Sequence, residues 1–389
     1  MLRKSQQLAN ILLTYSLTIE QNETVFIYAE DTHEWFIKLL CKRIEELGAY
    51  AIVYLFNLKK RKALIEEDNP QKLSEEKNYI LSKMKKSQSM IEIISLSDPI
   101  YLNNTTPEKI AHFNTYIVSE IVQYKLGDGK DRPAMKWVLA EVPCKGQAEF
   151  SGMSEEKYAN YLYRSTNIDW RKENRHMQKI KEIFDNGNQI RIVVPALTDF
   201  TFSLEGRGGY IEDGHINMPG GEVFYAPIED SAEGYITFNA PIIKNAIEIK
   251  EIRLEFKKGK VTHISAKKNE SVVQELLKLP GAKKIGEFAV GTNYKIKKYA
   301  KNISFDEKIG GTFHIALGNA YPFLLSQGGG LNKSPLHWDI VCDLRKKGKS
   351  PGGKIYVDGT VVQENGIWIF PIKKAEEQFL PDGHIKSIE

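Results

Sequence analysis

Residues 24–55 read TVFIYAEDTHEWFIKLLCKRIEELGAYAIVYL, and this stretch decides the fold of the first half of the chain. Thr24-Val-Phe-Ile-Tyr-Ala29 is a short apolar run rich in β-branched and aromatic residues, as expected of a strand buried on both faces. From His33 to Leu47 the apolar residues fall at helical spacing, and Gly48 follows as a stop signal. Tyr50-Ala-Ile-Val-Tyr-Leu55 is a second strand. Two strands joined by a helix of this length predict parallel pairing through a crossover. The alternation continues outward. A polar helical stretch near residues 70–86 precedes a strand at Met90–Ser95. Another strand is predicted at Met135–Ala140, then helices at Ser154–Ser165 and Ile168–Asp185. Upstream, Leu8, Ile11, Leu12 and Tyr15 fit one helical face.

Near residue 188 the texture changes. Short β-branched runs now alternate with Gly and Asp/Asn turns, as in Ile190–Val194, Ile247–Phe256 with Lys258-Gly259-Lys260, and Lys354–Val357 with Asp358-Gly359. Such turns read as antiparallel hairpins. The expectation is an α/β N-terminal domain with a parallel sheet over residues 1–187, and a β-rich α+β C-terminal domain over residues 188–389. A length of 389 residues suits two domains at roughly 150 residues each.

Composition narrows the function classes. Lys plus Arg is 54 and Asp plus Glu is 50, for a net charge of +4, too weak over this length to imply a nucleic acid or an anionic membrane. The basic runs Lys59–Lys62 and Lys83–Lys86 sit near acids such as Glu66-Glu67-Asp68 and read as solvated surface. Cys41, Cys144 and Cys342 are too far apart for a thiolate zinc site or a disulfide framework. No run of 18 apolar residues is present, so no membrane span is expected. The apolar N-terminus is interrupted by Asn10, Thr14 and Ser16, and it lacks a signal-peptidase site. Free thiols without a secretion signal favour the cytoplasm. His33-Glu-Trp-Phe-Ile37 starts like a zincin helix but lacks the second His. Ser326–Leu331 and Ser350–Gly353 are glycine-rich without the phosphate-loop spacing and read as loops.

Four segments of the second half set acids and imidazoles among small or apolar residues: NMPGGEVFYAP (217–227), IGEFAVG (285–291), FDEKIGGTFHIALGNAY (305–321) and LHWDIVCD (336–343). Glu222 leaves a Gly-Gly turn and enters an apolar strand. At period two, Glu287 shares a face with Ile285 and Ala289. A carboxylate on such a face needs a cation or a donor to be buried. The third segment carries Glu307, His314 and Tyr321. In the fourth, His337 and Asp339 share one strand face and Trp338 takes the other. Carboxylates with imidazoles suit Zn, Co or Mn at a hydrolytic centre. The donors exceed what one four-coordinate ion needs, so two divalent metal ions are expected, and the C-terminal domain is the metal-site domain.

These four segments, in order and across residues 215–345, resemble the motifs of the aminopeptidase T and aminopeptidase S family of thermophilic-type dinuclear metalloaminopeptidases. The resemblance implies a homodimeric exopeptidase that removes N-terminal residues from peptides by a two-metal-activated water. It implies that Glu222, Glu287, His314, His337 and Asp339 hold the metals, with Glu287 bridging. Glu307 is implied at the metals or at the substrate amine, and Tyr321 beside the site. In this reading Glu287 or Glu307 acts as general base and Tyr321 donates to the developing oxyanion. Two alternatives keep the fold. His314, His337 and Asp339 alone would make a 2-His-1-carboxylate centre for Fe(II), as in ring-cleaving dioxygenases of the dihydroxypyridine type. An inactive metal- or peptide-binding homologue is the other.

Overall fold

The run that opens the parallel half forms strand β1 (Thr24–Glu30), whose residues from Val25 onward are all buried. In the computed structural model, which describes residues 2–128, 132–244, 247–321, 330–348, 350–370, 376–379 and 385–388, the chain divides into two compact units. One comprises residues 1–168 with 214–219, and the other residues 169–213 with 220–389.

In the first unit β1 pairs in parallel with β2 (Tyr50–Phe56) and β3 (Ser89–Ile93), and β3 pairs in parallel with β4 (Lys136–Ala140). The order is β2-β1-β3-β4, with the two-residue strand Asn217–Met218 beyond β4. The helix Glu34–Glu46 buries Phe36, Ile37, Leu40 and Ile44, the face its spacing predicts. At the N-terminus the helix Leu2–Ile11 runs into a π-helical turn over Leu12–Ser16. Leu8 and Leu12 are buried as expected, Ala9 and Leu13 join them, and Ile11 and Tyr15 are only partly buried because the wider turn shifts the face.

The second unit begins earlier than the change of texture at residue 188. Helix Trp170–Asp185 is capped by Asp169, whose side chain accepts the Lys172 amide. Its Met177, Ile180 and Phe184 join the hydrophobic core of the strands that follow. The helix therefore packs with the second unit, although it precedes the expected boundary at 187/188. Phe184 is set edge-on against Tyr225, Phe288 and Trp368 at centroid distances of 5.6, 5.6 and 5.9 Å.

Two sheets share this core. One has eight strands and is built around Gln189–Val194 and Thr198–Ser203. Its tight turns are as read from the sequence: Lys258-Gly259 and Asp358-Gly359 both take positive φ at each residue, the geometry of a two-residue hairpin. The run Ile247–Phe256 is not one strand. Ile247–Ile249 pairs with Ile242–Lys244, and Arg253–Lys257 pairs with Lys260–Ser265.

The other sheet has five strands in the order β9-β8-β7-β6-β5, where β5 is Tyr210–Glu212, β6 Glu222–Tyr225, β7 Ile285–Gly291, β8 Thr312–Gly318 and β9 His337–Asp343. All its pairings are antiparallel. Opposed residues in antiparallel strands share a face. The face carrying Val223, Phe288, Ile315 and Trp338 lies in the core. Ser350–Gly353 has no regular structure, as expected of a loop. Residues 326–329 of the other glycine-rich stretch lie outside the described residues. No helix among the described residues is long and apolar enough to cross a membrane.

Candidate metal centre

The face of the five-stranded sheet turned away from the core holds the chemistry. Gly291 opposes Glu222, Ala289 opposes both Phe224 and His314, Ala316 opposes both Glu287 and Asp339, and Gly318 opposes His337. Glu222, Glu287, His314, His337 and Asp339 therefore each have a Gly or Ala beside them on a neighbouring strand. The small residues leave room beside the acids and imidazoles.

One local irregularity sets Glu287 on this face. The register shifts between Ile285 and Glu287, so Ile285 opposes Leu317 while Glu287 opposes Ala316. Ile285 joins the core, whereas strict alternation puts it beside Glu287. The residue between them is Gly286, where an added Cβ would lie 2.2 Å from the carbonyl oxygen of Asn319. A bulge here lets one short strand feed both the core and the site.

The side chains converge. His314 Nε2 lies 3.2 Å from Glu287 Oε1 and 3.5 Å from Glu222 Oε2. His337 Nε2 lies 3.2 Å from Asp339 Oδ1 and 3.9 Å from Glu287 Oε2. The Nδ1 atom of His337 is 2.8 Å from the carbonyl oxygen of Asn319, which can only accept. Nδ1 therefore carries a proton and Nε2 faces the acids, where it would offer its lone pair to a metal once its own proton is lost. Glu307 comes from a separate element, the C-terminal cap of the short helix Ile303–Asp306. The ring of Tyr321 lies against that of His337, with centroids 4.6 Å apart. Two sets, Glu222 with Glu307 and His314, and Glu287 with His314 and Asp339, each offer ligand atoms that all lie within 4.8 Å of one another.

A residue that the sequence reading passed over completes the cluster. Lys308, with its side chain 1% exposed, contacts Glu222 Oε1 and lies 2.9 Å from Glu307 Oε1. In the sequence it stands beside two acids, which reads as a surface pair. The signal that could have found it is the Ile-Gly-Gly that follows, which leads straight into a buried strand.

Electrostatics explain what this cluster attracts. Burial pushes the carboxyls of Glu222, Glu287 and Glu307 above the usual range. Burial alone would lower Lys308, but Glu222 and Glu307 outweigh it and hold the ammonium charged. Against the same penalty, His314 is pushed up to about 9, chiefly by Glu287 and Glu222. His337 is pushed up to about 10, chiefly by Asp339. Asp339 is held well below its ordinary value by His337, again against burial. The acids thus draw positive charge onto both imidazoles.

The donor set fits divalent cations on a further ground. Glu222 Oε2, Glu287 Oε2 and Asp339 Oδ1 are buried and make no aligned hydrogen bond. Unsatisfied buried groups are costly in a native core, and oxygen and imidazole donors are what zinc, cobalt or manganese take.

Known proteins agree with this geometry. The chain is 23% identical over 415 residues to Aminopeptidase 2 of Geobacillus stearothermophilus, a match covering 94% of this chain and 97% of the relative. Its fold is similar to that of wild-type AmpT from Thermus thermophilus, with a TM-score of 0.77 and 22% identity over 94% of this chain and 99% of the other. It is also similar, more distantly, to 2,5-dihydroxypyridine dioxygenase from Pseudomonas putida KT2440, with a TM-score of 0.60 and 17% identity over 95% of this chain and 98% of the other. The model of the thermophilic metalloprotease family M29 matches residues 2–368, and the chain belongs to that family.

Proposed function

We propose that this protein is a metal-dependent aminopeptidase that hydrolyses the N-terminal residue from peptides. The observation that supports it best is the convergence of Glu222, Glu287, His314, His337 and Asp339 on one face of a single sheet, beside Glu307. In this reading these five side chains, with Glu307 beside them, would hold two divalent ions, Zn, Co or Mn. Bound there, the ions supply Lewis-acid polarisation of the scissile carbonyl and lower the pKa of the attacking water.

The chain's own residues do the rest. Glu287 or Glu307 accepts the proton of the attacking water. Glu307 is suited to this because it comes from a turn outside the sheet and stays partly exposed, at 15%. Tyr321, beside His337, donates a hydrogen bond to the developing oxyanion. The surplus of carboxylates offers a counter-charge to a substrate α-ammonium, which favours a free N-terminus over an internal peptide bond. An iron triad of His314, His337 and Asp339 would leave Glu222 and Glu287 without a task. The reading also carries a homodimer in the cytoplasm, with which the three unpaired cysteines are compatible. Sedimentation of the purified chain tests the dimer.

Metal analysis of the purified protein, paired with a panel of aminoacyl-p-nitroanilides, tests the activity. Cleavage that is lost with chelator and restored by Zn, Co or Mn is expected. No cleavage of any member with all three metals supplied overturns the proposal.

A further inference from the structure

Lys308 already occupies one of the two candidate metal sets. Its ammonium touches Glu222 and lies 2.9 Å from Glu307, two of the three members of the Glu222–Glu307–His314 set. The other set differs. Glu287 and Asp339 have their close ion-pair contacts with imidazole nitrogens, those of His314 and His337, and Lys308 acts on Asp339 only as a more distant charge. A protonated amine has three donors and no lone pair, so it satisfies carboxylates as a cation does but cannot itself ligate one. Two cations on one carboxylate pair repel each other. Lys308 is anchored in the fold between Phe305, which is fully buried, and Ile309, also fully buried, so its backbone is not free to retreat. Only the four-carbon stem can move.

We propose that Lys308 is a built-in counter-cation of the Glu222–Glu307 pair, so that the two halves of the centre load unequally. The first divalent ion binds at Glu287, His314 and Asp339. A second binds at Glu222 and Glu307 only when the ammonium is displaced from between them. The protein thus has one resident ion at low free metal and acquires a second only at higher concentration. The Glu222–Glu307 half keeps its geometry without metal, since Lys308 holds both acids in place. This inference rests on the metal centre proposed above and says nothing of which peptide is cut.

The test is zinc binding to the full-length, metal-stripped protein, followed by calorimetry and by elemental analysis after equilibration at fixed free Zn²⁺. The wild type is expected to bind in two steps whose affinities differ by at least tenfold, with one ion per chain retained at low free metal. Lys308→Met removes the charge at similar length and should bring the second step at least tenfold closer to the first. Lys308→Arg should keep the separation. If Lys308→Met fails to fold, Lys308→Gln, which also removes the charge, is read in the same way, and separated steps that persist in the folded uncharged variant overturn the proposal. Two equal steps in the wild type overturn the proposal while leaving a dinuclear centre intact. Two separated steps without peptide hydrolysis leave it standing and sink the aminopeptidase reading instead. No zinc bound at all overturns both.

Discussion

His337 donates its Nδ1 proton to the main-chain carbonyl oxygen of Asn319 across 2.8 Å. Because the acceptor is backbone, the orientation of the ring is set by the fold and not by another side chain. Its Nε2 is thereby turned to the side of Asp339 and Glu287. His337→Ala should lower metal affinity by at least about a hundredfold, since even partners outside the ligand shell cost 10–100-fold when removed. Chelator competition measures this, and unchanged affinity would exclude His337 from the centre.

Glu287 opposes Ala316 and reaches toward both imidazoles, so it is central to the cluster. Glu287→Gln keeps the shape and removes the charge. The variant should fold, because the neutral amide is cheaper to bury than a carboxylate, yet lose peptide turnover. Circular dichroism and aminoacyl-p-nitroanilide cleavage report the two properties separately. Near-normal turnover in a folded variant would show that Glu287 is not required.

Gly318 closes β8 with φ of 102°, and an added Cβ would stand 2.1 Å from the carbonyl oxygen of Leu336. Gly318→Ala is therefore expected to destabilise the second unit by about 1–3 kcal/mol from backbone strain alone, with more from the contact. It should also misplace His337, its cross-strand partner. Urea unfolding measures the first effect, and an unchanged midpoint would count against this geometry.

The first unit has its own pH sensitivity. His33 is buried and its Nε2 donates to the carbonyl of Ser95 at 2.8 Å. Burial lowers its pKa below 6.5, against smaller raising effects from Ser95, Glu30 and Asp31. The unfolded chain therefore binds a proton at a pH where the folded chain does not. Stability from this group is complete above about pH 6.5 and is lost as the pH falls through and below that value. His33→Gln should flatten the stability curve between pH 7.5 and 5, roughly the span over which an ordinary histidine titrates. The same slope in both proteins would assign the acid sensitivity elsewhere.

How much of this could be read from the sequence depended on what kind of information each feature needs. Alternation along a strand is local, so His337 and Asp339 could be placed on one face opposite Trp338, and the structure agrees. The parallel order of β1 to β4 follows from helical crossovers, which leave a clear periodic trace. The bulge at Gly286 leaves none. It is set by a backbone approach to Asn319, far along the chain, and so Ile285 was expected on the wrong face. Lys308 was missed because a lysine beside two acids has the same local pattern whether it is solvated or buried. Helix Trp170–Asp185 was assigned by composition to the first domain, while its packing partners, such as Phe288 and Trp368, lie more than a hundred residues away.

The ladder of β6, β7, β8 and β9 gives this centre a thermodynamic role apart from chemistry. Glu222, Glu287, His314 and Asp339 come from four different strands, so ions held among them tie together segments separated by long stretches of chain. Such an ion binds the native state far better than the unfolded one, and mass action then adds stability to the second unit, about 2.7 kcal/mol when the free metal stands at a hundred times its dissociation constant. Melting curves taken across a zinc titration should therefore show the unfolding of the second unit moving upward in temperature with metal. In effect the centre would act as a non-covalent staple for the sheet that carries it, and metal supply would set the lifetime of the fold together with its activity.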